Sequence, residues 1–365
     1  MRRHRIAGDG LEREEADLPG AILDHGCQSS RAWESDPLVS VVVVSYDSER
    51  FIERCLSSVQ KQNYRQVELV VIDNASSDGT LARIEACAPD ARLVKNPTNT
   101  GFAAAHNQGI RLTRGELYLA LNPDVEMEPE FLSELVRAIR SDSRVGSVSG
   151  KLLRPPRTPL MDGPRVLDSA GIYMTPGLRH LDRGSGRIDE GQYERPQEVF
   201  GASGAAALYR RAMLVDVALD GEFFDEDFFA YREDADLAWR ARLRGWSSVY
   251  TPAALATHVR RVLPERRREL PPAINMHSVK NRFLLRIKNQ TWLELLSLAA
   301  PSLSRDIGVI AYVLLFERSS LAGLRFVVTN FRRIWAKRRR IQSGRRVPAR
   351  AMLRWFRYRP TAFDL

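Results

Sequence analysis

Cysteine is scarce: Cys27, Cys55 and Cys87 are the only three in 365 residues. They stand far apart, without the paired spacing of a zinc site. So sparse and odd a set excludes a disulfide framework and fits a reducing compartment. Long apolar runs are missing too. The longest, Ile307 to Phe316, is too short to cross a bilayer. No apolar run follows the basic start Met1-Arg2-Arg3-His4-Arg5, so neither a spanning helix nor a signal peptide is expected, and the chain reads as intracellular. No segment repeats. Lysine is limited to six residues, yet Lys and Arg together number 55 against 45 acids. The net charge of +10 is therefore carried by arginine. Its planar fork pairs with phosphate and also suits a lipid headgroup surface, so anionic partners are expected.

What is present is a globular composition, 44% hydrophobic and 8% aromatic, in a chain long enough for one large domain with an appendage, or for two domains. Residues 1–37 mix both charges without periodicity and read as a disordered tail. From Leu38 the pattern changes. Leu38 to Val44 is a continuous, mostly β-branched run, as in a strand buried on both faces. Asp47 or Ser48 is placed to cap a helix through Phe51, Ile52, Cys55, Leu56 and Val59. Further strands are expected at Val67–Ile72, Ala91–Lys95, Leu117–Leu121 and Val145–Ser149, with helices at Thr80–Ala86, Gly101–Leu112 and Pro129–Arg140. The alternation predicts an α/β fold, a Rossmann-like, mostly parallel sheet with helices on both faces. Residues 150–200 read as an irregular excursion, Ala206–Tyr209 as a strand and Asp227–Leu243 as a helix. Residues 272–320 read as helical and apolar on one side. From Asn330 onward twelve basic residues face one acid, with Phe331, Ile334, Trp335, Trp355, Phe356 and Tyr358 interleaved.

Open α/β sheets bind ligands beyond the carboxyl ends of their strands. The notable polar residues stand there: Ser45-Tyr46 after the first strand, Asp73 after the second, Asp124 after the fourth. Asp73 opens Asp-Asn-Ala-Ser-Ser-Asp-Gly-Thr. Its carboxylate suits the N–H of a pyrimidine base, although the Asn, Ser, Asp and Gly of that octapeptide also favour a turn, and Asp78 fits a turn or cap alone. In Asn99-Thr100-Gly101-Phe102-Ala103-Ala104-Ala105-His106-Asn107, small residues at a helix start suit either a phosphate or ribose, or tight helix–sheet packing. His106 reads as structural. Asn122-Pro123-Asp124 suits a hard cation whose other ligands come from a diphosphate, or simply a turn. In Phe223 to Arg240 some acids only complement a helix dipole, and Asp236 with Arg240 reads as a surface pair. Glu233 and Asp234, at the helix entry among aromatics, are candidates for a carboxylate whose pKa is raised by desolvation.

In this order these motifs, with Glu-Asp-Ala-Asp-Leu-Ala-Trp-Arg and then His258, resemble the family-two inverting glycosyltransferases of GT-A fold over residues 38–290. The Asn-Pro-Asp form resembles the bacterial rhamnosyltransferases. The resemblance implies a nucleotide-binding half at 38–150, an acceptor-side half at 151–270 and a helical, basic, membrane-associating region at 271–365. It implies nucleotide-sugar binding by Ser45, Tyr46, Asp73, Asn99 and Gly101, a divalent metal, Mg²⁺ or Mn²⁺, at Asp124 and His258, and a catalytic base in Asp234 with Glu233 beside it. Two departures stand out: Asn122 replaces the first acid of the usual Asp-x-Asp, and Val259-Arg260-Arg261 replaces the Gly-rich stretch that often follows the histidine. The expected partners are a nucleotide-diphosphate sugar, first dTDP-rhamnose and otherwise UDP-galactofuranose or a UDP-hexose, and a glycan or lipid-linked glycan acceptor. An anionic membrane at the inner face of the cell membrane is a third; nucleic acid is not expected, and oligomerisation stays open. A sugar-phosphate nucleotidyltransferase is disfavoured, because Ser45-Tyr46-Asp47 stands where its Gly-rich basic loop belongs. A non-catalytic basic scaffold is the remaining competitor.

Overall fold

A computed structural model describes residues 35–155, 163–260, 267 and 269–357. The tail expected at 1–37, apart from its last three residues, lies outside these. So do Cys27, Tyr358 and most of the basic stretch after Val259.

In chain order the first half runs β1 (Val39–Ser45), α1 (Ile52–Gln60), β2 (Val67–Asp73), α2 (Thr80–Cys87), β3 (Arg92–Lys95), α3 (Gly101–Leu112), β4 (Leu117–Leu121), β5 (Val125–Met127), α4 (Phe131–Arg140) and β6 (Val145–Arg154). Then come β7 (Val166–Ser169), β8 (Ile172–Met174), β9 (His180–Asp182), β10 (Gln197–Val199), β11 (Ala206–Arg210), α5 (Arg211–Asp216), α6 (Glu233–Arg244) and β12 (Ser247–His258). The C-terminal part is helical: α7 (Pro272–Asn289), α8 (Trp292–Ser297), α9 (Ala299–Phe316), α10 (Leu321–Thr329), α11 (Phe331–Ser343) and α12 (Ala349–Met352).

The main sheet is ordered β10-β12-β6-β11-β4-β1-β2-β3, with β5 on β12 and β7 on β6. β1 to β4 are parallel to one another, as are β6 and β12, while β11 enters antiparallel between the two groups. One sheet therefore runs through both expected halves. Its β-branched strands are buried on both faces, as the continuous apolar text of β1 requires. Leu56, Phe131 and Leu135 cover one face from α1 and α4. Ala105, Ile110, Met213 and Leu237 cover the other from α3, α5 and α6.

Several expectations need correction. Neither Asp47 nor Ser48 supplies a side-chain cap to α1; the Asp47 carboxylate instead accepts from the Ser77 amide at 2.8 Å. The described part of 150–200 is not an irregular excursion: β7 pairs with β6, β8 with β9, and β10 with β12. The helix expected from Asp227 starts at Glu233, since Phe229, Tyr231 and Arg232 all take positive φ (64°, 70° and 73°) and cannot continue it. The amide of Asn281 on α7 holds this strained turn by donating to the carbonyls of Phe228, Ala230 and Tyr231 at 2.9, 2.8 and 2.7 Å. Asp236 and Arg240 are not a surface pair. Both are buried, 2.8 Å apart, and Arg240 also donates to the carbonyls of Val217 and Phe223.

The C-terminal region is no loose basic tail. Lys288 is fully buried and bridges Asp225 and Asp227, the latter at 3.0 Å; Lys337 on α11 joins Asp225 at 2.7 Å and Glu222 at 2.9 Å. Phe356 is buried against Trp239 and Phe200, with ring centroids 4.8 and 6.0 Å away. The acids ahead of α6 thus serve as counter-charges for helices that arrive 61 to 115 residues later. α9 is also longer than the apolar run read from sequence. Its 18 residues are long and apolar enough to cross a membrane by length and composition, the only such helix among the described residues. Removing one partner from a buried ion cluster leaves the others desolvated without compensation. Lys288→Met is accordingly expected to lower unfolding free energy by about 3–5 kcal/mol, read from urea denaturation midpoints.

Candidate active site

At the carboxyl ends of β1 and β2 the register sets Ser45 beside Asp73. Both are buried. Ser45 Oγ donates to Asp73 Oδ1 at 3.0 Å, and Ser76 donates to the same carboxylate through its amide and its hydroxyl at 2.9 and 2.6 Å. Asp73 thereby shapes the loop after β2. Tyr46, next along β1, is exposed at this rim. Asn99 Oδ1 accepts from the Gly101 amide at 2.9 Å. Gly101 has φ +84°, and a Cβ there would lie 2.6 Å from the Phe229 ring and carbonyl. Phe229 thus makes the close approach that Gly101 permits, and its carbonyl accepts the Ala103 amide at 3.1 Å. His106 is buried with Nδ1 2.8 Å from Tyr118 Oη, and burial lowers its pKa to about 3, as suits a structural histidine.

Asp124 follows β4 and is nearly buried; its Oδ1 lies 3.4 Å from His258 Nε2 at the end of β12. The strands make this pairing, since β5 pairs with β12 and His258 registers against Val125. His258 Nδ1 is held by Asp168 Oδ2 at 2.7 Å. Arg260 then spans Asp168, at 2.7 Å, and Asp182, also at 2.7 Å. Burial opposes charge on His258, but hydrogen bonds to Asp124 and Asp168 outweigh it and raise the pKa to about 9.

One carboxylate oxygen and one imidazole nitrogen facing each other at 3.4 Å form a mixed O/N donor pair. Cis ligands on an octahedral cation with ~2.1 Å bonds lie about 3 Å apart, so the pair fits one small divalent ion. The described residues contain no group of three His, Cys, Asp or Glu side chains able to hold a metal. Any cation here would take its remaining ligands from substrate and water.

The loop Ser203-Gly204-Ala205 joins this pair to the second carboxylate site. The Ala205 carbonyl accepts the Asn122 amide at 2.8 Å, and the Gly204 amide donates to Asp234 Oδ2 at 3.0 Å. Asp234 Oδ1 accepts from the Ala235 amide at 2.7 Å. A side chain at position 204 would press on Asp234, with its Cβ 3.3 Å from the carboxylate. Asp234 keeps partial exposure. Desolvation raises its pKa to about 6; the Gly204 bond opposes this and Asp182 adds to it. Glu233 differs. It is buried, its Oε2 has no hydrogen-bond partner, and burial and then the neighbouring Asp234 hold its pKa well above the carboxylate range. Glu233 is therefore biased toward its protonated form, whereas Asp234, at about 6, is largely ionised at neutral pH.

Sequence reasoning passed over Asp168, Asp182, Arg260, Gly204 and Asn281. The first two lie in the stretch read as irregular. Their signal was an acid in each of two short apolar strands, Val166–Ser169 and His180–Asp182. In metal-free protein, NMR titration of His258 is expected to give a pKa near 9. Asp168→Asn removes one of the two carboxylates facing the ring, and the value is expected to fall by about a unit or more.

Residues 40–217 match the profile described as glycosyl transferase family 2. Over 238 residues the chain is 29% identical to the N-acetylglucosaminyl-diphospho-decaprenol L-rhamnosyltransferase of Mycobacterium tuberculosis, covering 60% of this chain and 76% of that protein. It is 25% identical to the poly-beta-1,6-N-acetyl-D-glucosamine synthase of Staphylococcus aureus, over 60% of this chain and 48% of that one. Among solved structures it resembles GalNAc-T7, crystallised with UDP, GalNAc and Mn²⁺, at a TM-score of 0.54 and 16% identity, covering 70% of this chain and 48% of that one. It also resembles residues 1–349 of S. aureus TarS, at a TM-score of 0.50 and 18% identity, over 88% and 93%. These likenesses establish the fold.

Proposed function

We propose, for a chain that belongs to glycosyl transferase family 2, that it moves a sugar from a nucleotide-diphosphate donor to a glycan or lipid-linked glycan hydroxyl, with inversion at the anomeric carbon. The observation that carries the reading is Asp234: a partly exposed carboxylate, gripped by two backbone amides, with a pKa near 6, one loop away from Asp124 and His258. A base of that pKa is ionised at neutral pH and still basic enough to take a hydroxyl proton as the oxygen attacks. One base on the face opposite the leaving group accounts for a single, inverting displacement. Glu233, protonated beneath it, acts as a neutral prop.

Asp124 Oδ1 and His258 Nε2 are the residues that would hold Mg²⁺ or Mn²⁺. Such an ion supplies positive charge to the diphosphate leaving group. Asp168 keeps His258 oriented, as carboxylates commonly do for ligating histidines. In this reading Tyr46, Asp73 and the loop it shapes receive the nucleotide, with Ser45, Asn99 and Gly101 supporting that wall. For the donor we favour dTDP-rhamnose over UDP-galactofuranose or a UDP-hexose, on the name of the mycobacterial relative. That name also supports a lipid-diphosphate-linked acceptor in cell-envelope polysaccharide synthesis.

We further infer peripheral attachment to an anionic membrane on the cytoplasmic side, through α8 to α10. Trp292, Leu296, Ile307, Leu314, Leu315, Phe316 and Val328 are exposed there, beside the arginines of α11. The sequence pointed to the basic segment after Asn330, with residues 291–320 adding apolar surface; of the apolar residues interleaved in that segment, Ile334 and Phe356 are buried. Although α9 is long enough to span, Asp306 within it is tied to buried Arg282, at 2.7 Å, and to Arg286 on α7. That docks one face of α9 on the body and favours lying in the interface over crossing it.

Two outcomes follow. Asp234→Asn should reduce turnover by about 10³-fold or more while nucleotide-sugar binding with Mn²⁺ survives, and Glu233→Gln should cost far less. The wild-type kcat/KM should fall about tenfold per pH unit below pH 6 and level off above it, because only ionised Asp234 accepts the proton. Near-normal turnover in Asp234→Asn removes Asp234 from the mechanism. For the membrane, replacing Ile307, Leu314 and Leu315 together by glutamate should abolish co-sedimentation with phosphatidylglycerol vesicles but leave the melting temperature within a few degrees. Unchanged sedimentation assigns attachment elsewhere.

A further inference from the structure

Beside Asp234 lies a group of arginines that the catalytic reading does not use. Arg232, two residues before the base, is partly exposed at φ 73° and points Nη1 at His180 Nδ1, 3.2 Å away. After burial, the charges that act on it most are those of Arg282, Arg179 and Arg305, which oppose its own, and Asp234, which favours it. Arg179, in the turn before β9, and Arg305, in the first half of α9, make no ion pair among the described residues, and their side chains reach solvent. Behind them buried Arg282 and Arg286 share a single acid, Asp306. Arg286 Nε has no partner.

Five guanidinium groups thus face two carboxylates. Burial and then the three neighbouring arginines push Arg232 down to about 9, and His180 is kept neutral by burial and then by Arg232 and Arg179. Like charges gathered this closely are unfavourable until an anion joins them. A carboxylate would offset one of them. A diphosphate esterified at both ends carries two charges, offsets most of the excess of three, and suits the paired donors of guanidinium.

Position narrows the ligand further. Gly177, in the same turn as Arg179, packs against α9, where an added Cβ would lie 3.4 Å from Arg305 Cδ. Along α9 Arg305 shares a helix face with Val309, Tyr312 and the exposed Phe316, at i+4, i+7 and i+11. The cluster therefore has the proposed base on one side and apolar surface on the other.

We propose that Arg179, Arg232 and Arg305, backed by Arg282 and Arg286, hold the diphosphate of a lipid-linked acceptor, with its sugar at Asp234 and its hydrocarbon chain along α9. The proposal rests on the transferase reading for the identity of the acceptor. Because Arg232 adjoins the base, the attacked sugar is close to the diphosphate, so the acceptor glycan is short.

The probe is farnesyl diphosphate, titrated into the full-length protein in EDTA, where metal-dependent binding of a donor diphosphate is suppressed. Wild type should bind it at least about tenfold more tightly than farnesol, the worth of one or two charge-assisted hydrogen bonds. The Arg179→Gln/Arg305→Gln variant should lose about tenfold or more, and Arg179→Lys/Arg305→Lys should retain most of the affinity. Both sites are solvent-facing, and circular dichroism checks that each variant folds. Binding of dTDP with Mn²⁺ should stay unchanged in the double Gln variant.

Equal affinity for farnesol, or an unaffected Gln variant, overturns the proposal. So does a parallel loss of dTDP binding, which would assign the arginines to the donor. A wild type that binds the prenyl diphosphate on these arginines yet turns over no nucleotide sugar would sink the transferase reading and keep the anion site. An active enzyme with an unaffected Gln variant would do the reverse.

Discussion

Two hydrogen bonds on either side of a three-residue loop hold the site together. The Ala205 carbonyl accepts from the Asn122 amide, and the Gly204 amide donates to Asp234. They can do so only because β11 enters the sheet antiparallel between β4 and β6, pairing Ala206 with Leu121. That insertion sets the start of β11 against the end of β4, where Asp124 stands. Gly204 has no side chain to hold Asp234 away, and the base meets the backbone directly. The rest of the site is arranged around this junction.

The second constraint is the turn before α6. Three non-glycine residues at positive φ are costly and persist only where their surroundings enforce them. Asn281 meets three of the turn's carbonyls, Phe229 stacks on His277 with centroids 4.7 Å apart, and Lys288 and Lys337 neutralise the acids just upstream. The helices after residue 271 are thus part of the framework that positions the start of α6. They fix where α6 begins and so where Glu233 and Asp234 point. The same helices carry Arg282, Arg286 and Arg305 together with the exposed apolar residues of α9.

The α/β layout was legible because its signals are local. Strands buried on both faces read as unbroken β-branched runs, and α3 and β4 fall where periodicity put them. Local signals misled where distant residues set the outcome. The cap expected from Asp47 went to Ser77, thirty positions away. α6 started late because α7 stabilises a strained turn that no propensity favours. Asp236 and Arg240 looked like a surface pair because i, i+4 spacing says nothing about which face is buried.

By itself the sequence determined the strands, the polar residues at their carboxyl ends, and the short list of acids from which a base and a metal ligand had to come. Those follow from period, residue shape and turn chemistry within a few positions. Only the tertiary structure decided how the list divides. Glu233 and Asp234 are neighbours in the chain, yet one is sealed, with its pKa driven well upward, while the other is partly exposed and held by amides. His258 acquires its orientation from Asp168, 90 positions away. The arginines converge from three separate elements. Charge state depends on desolvation and on neighbours brought together by packing, and neither is written in the local order of residues.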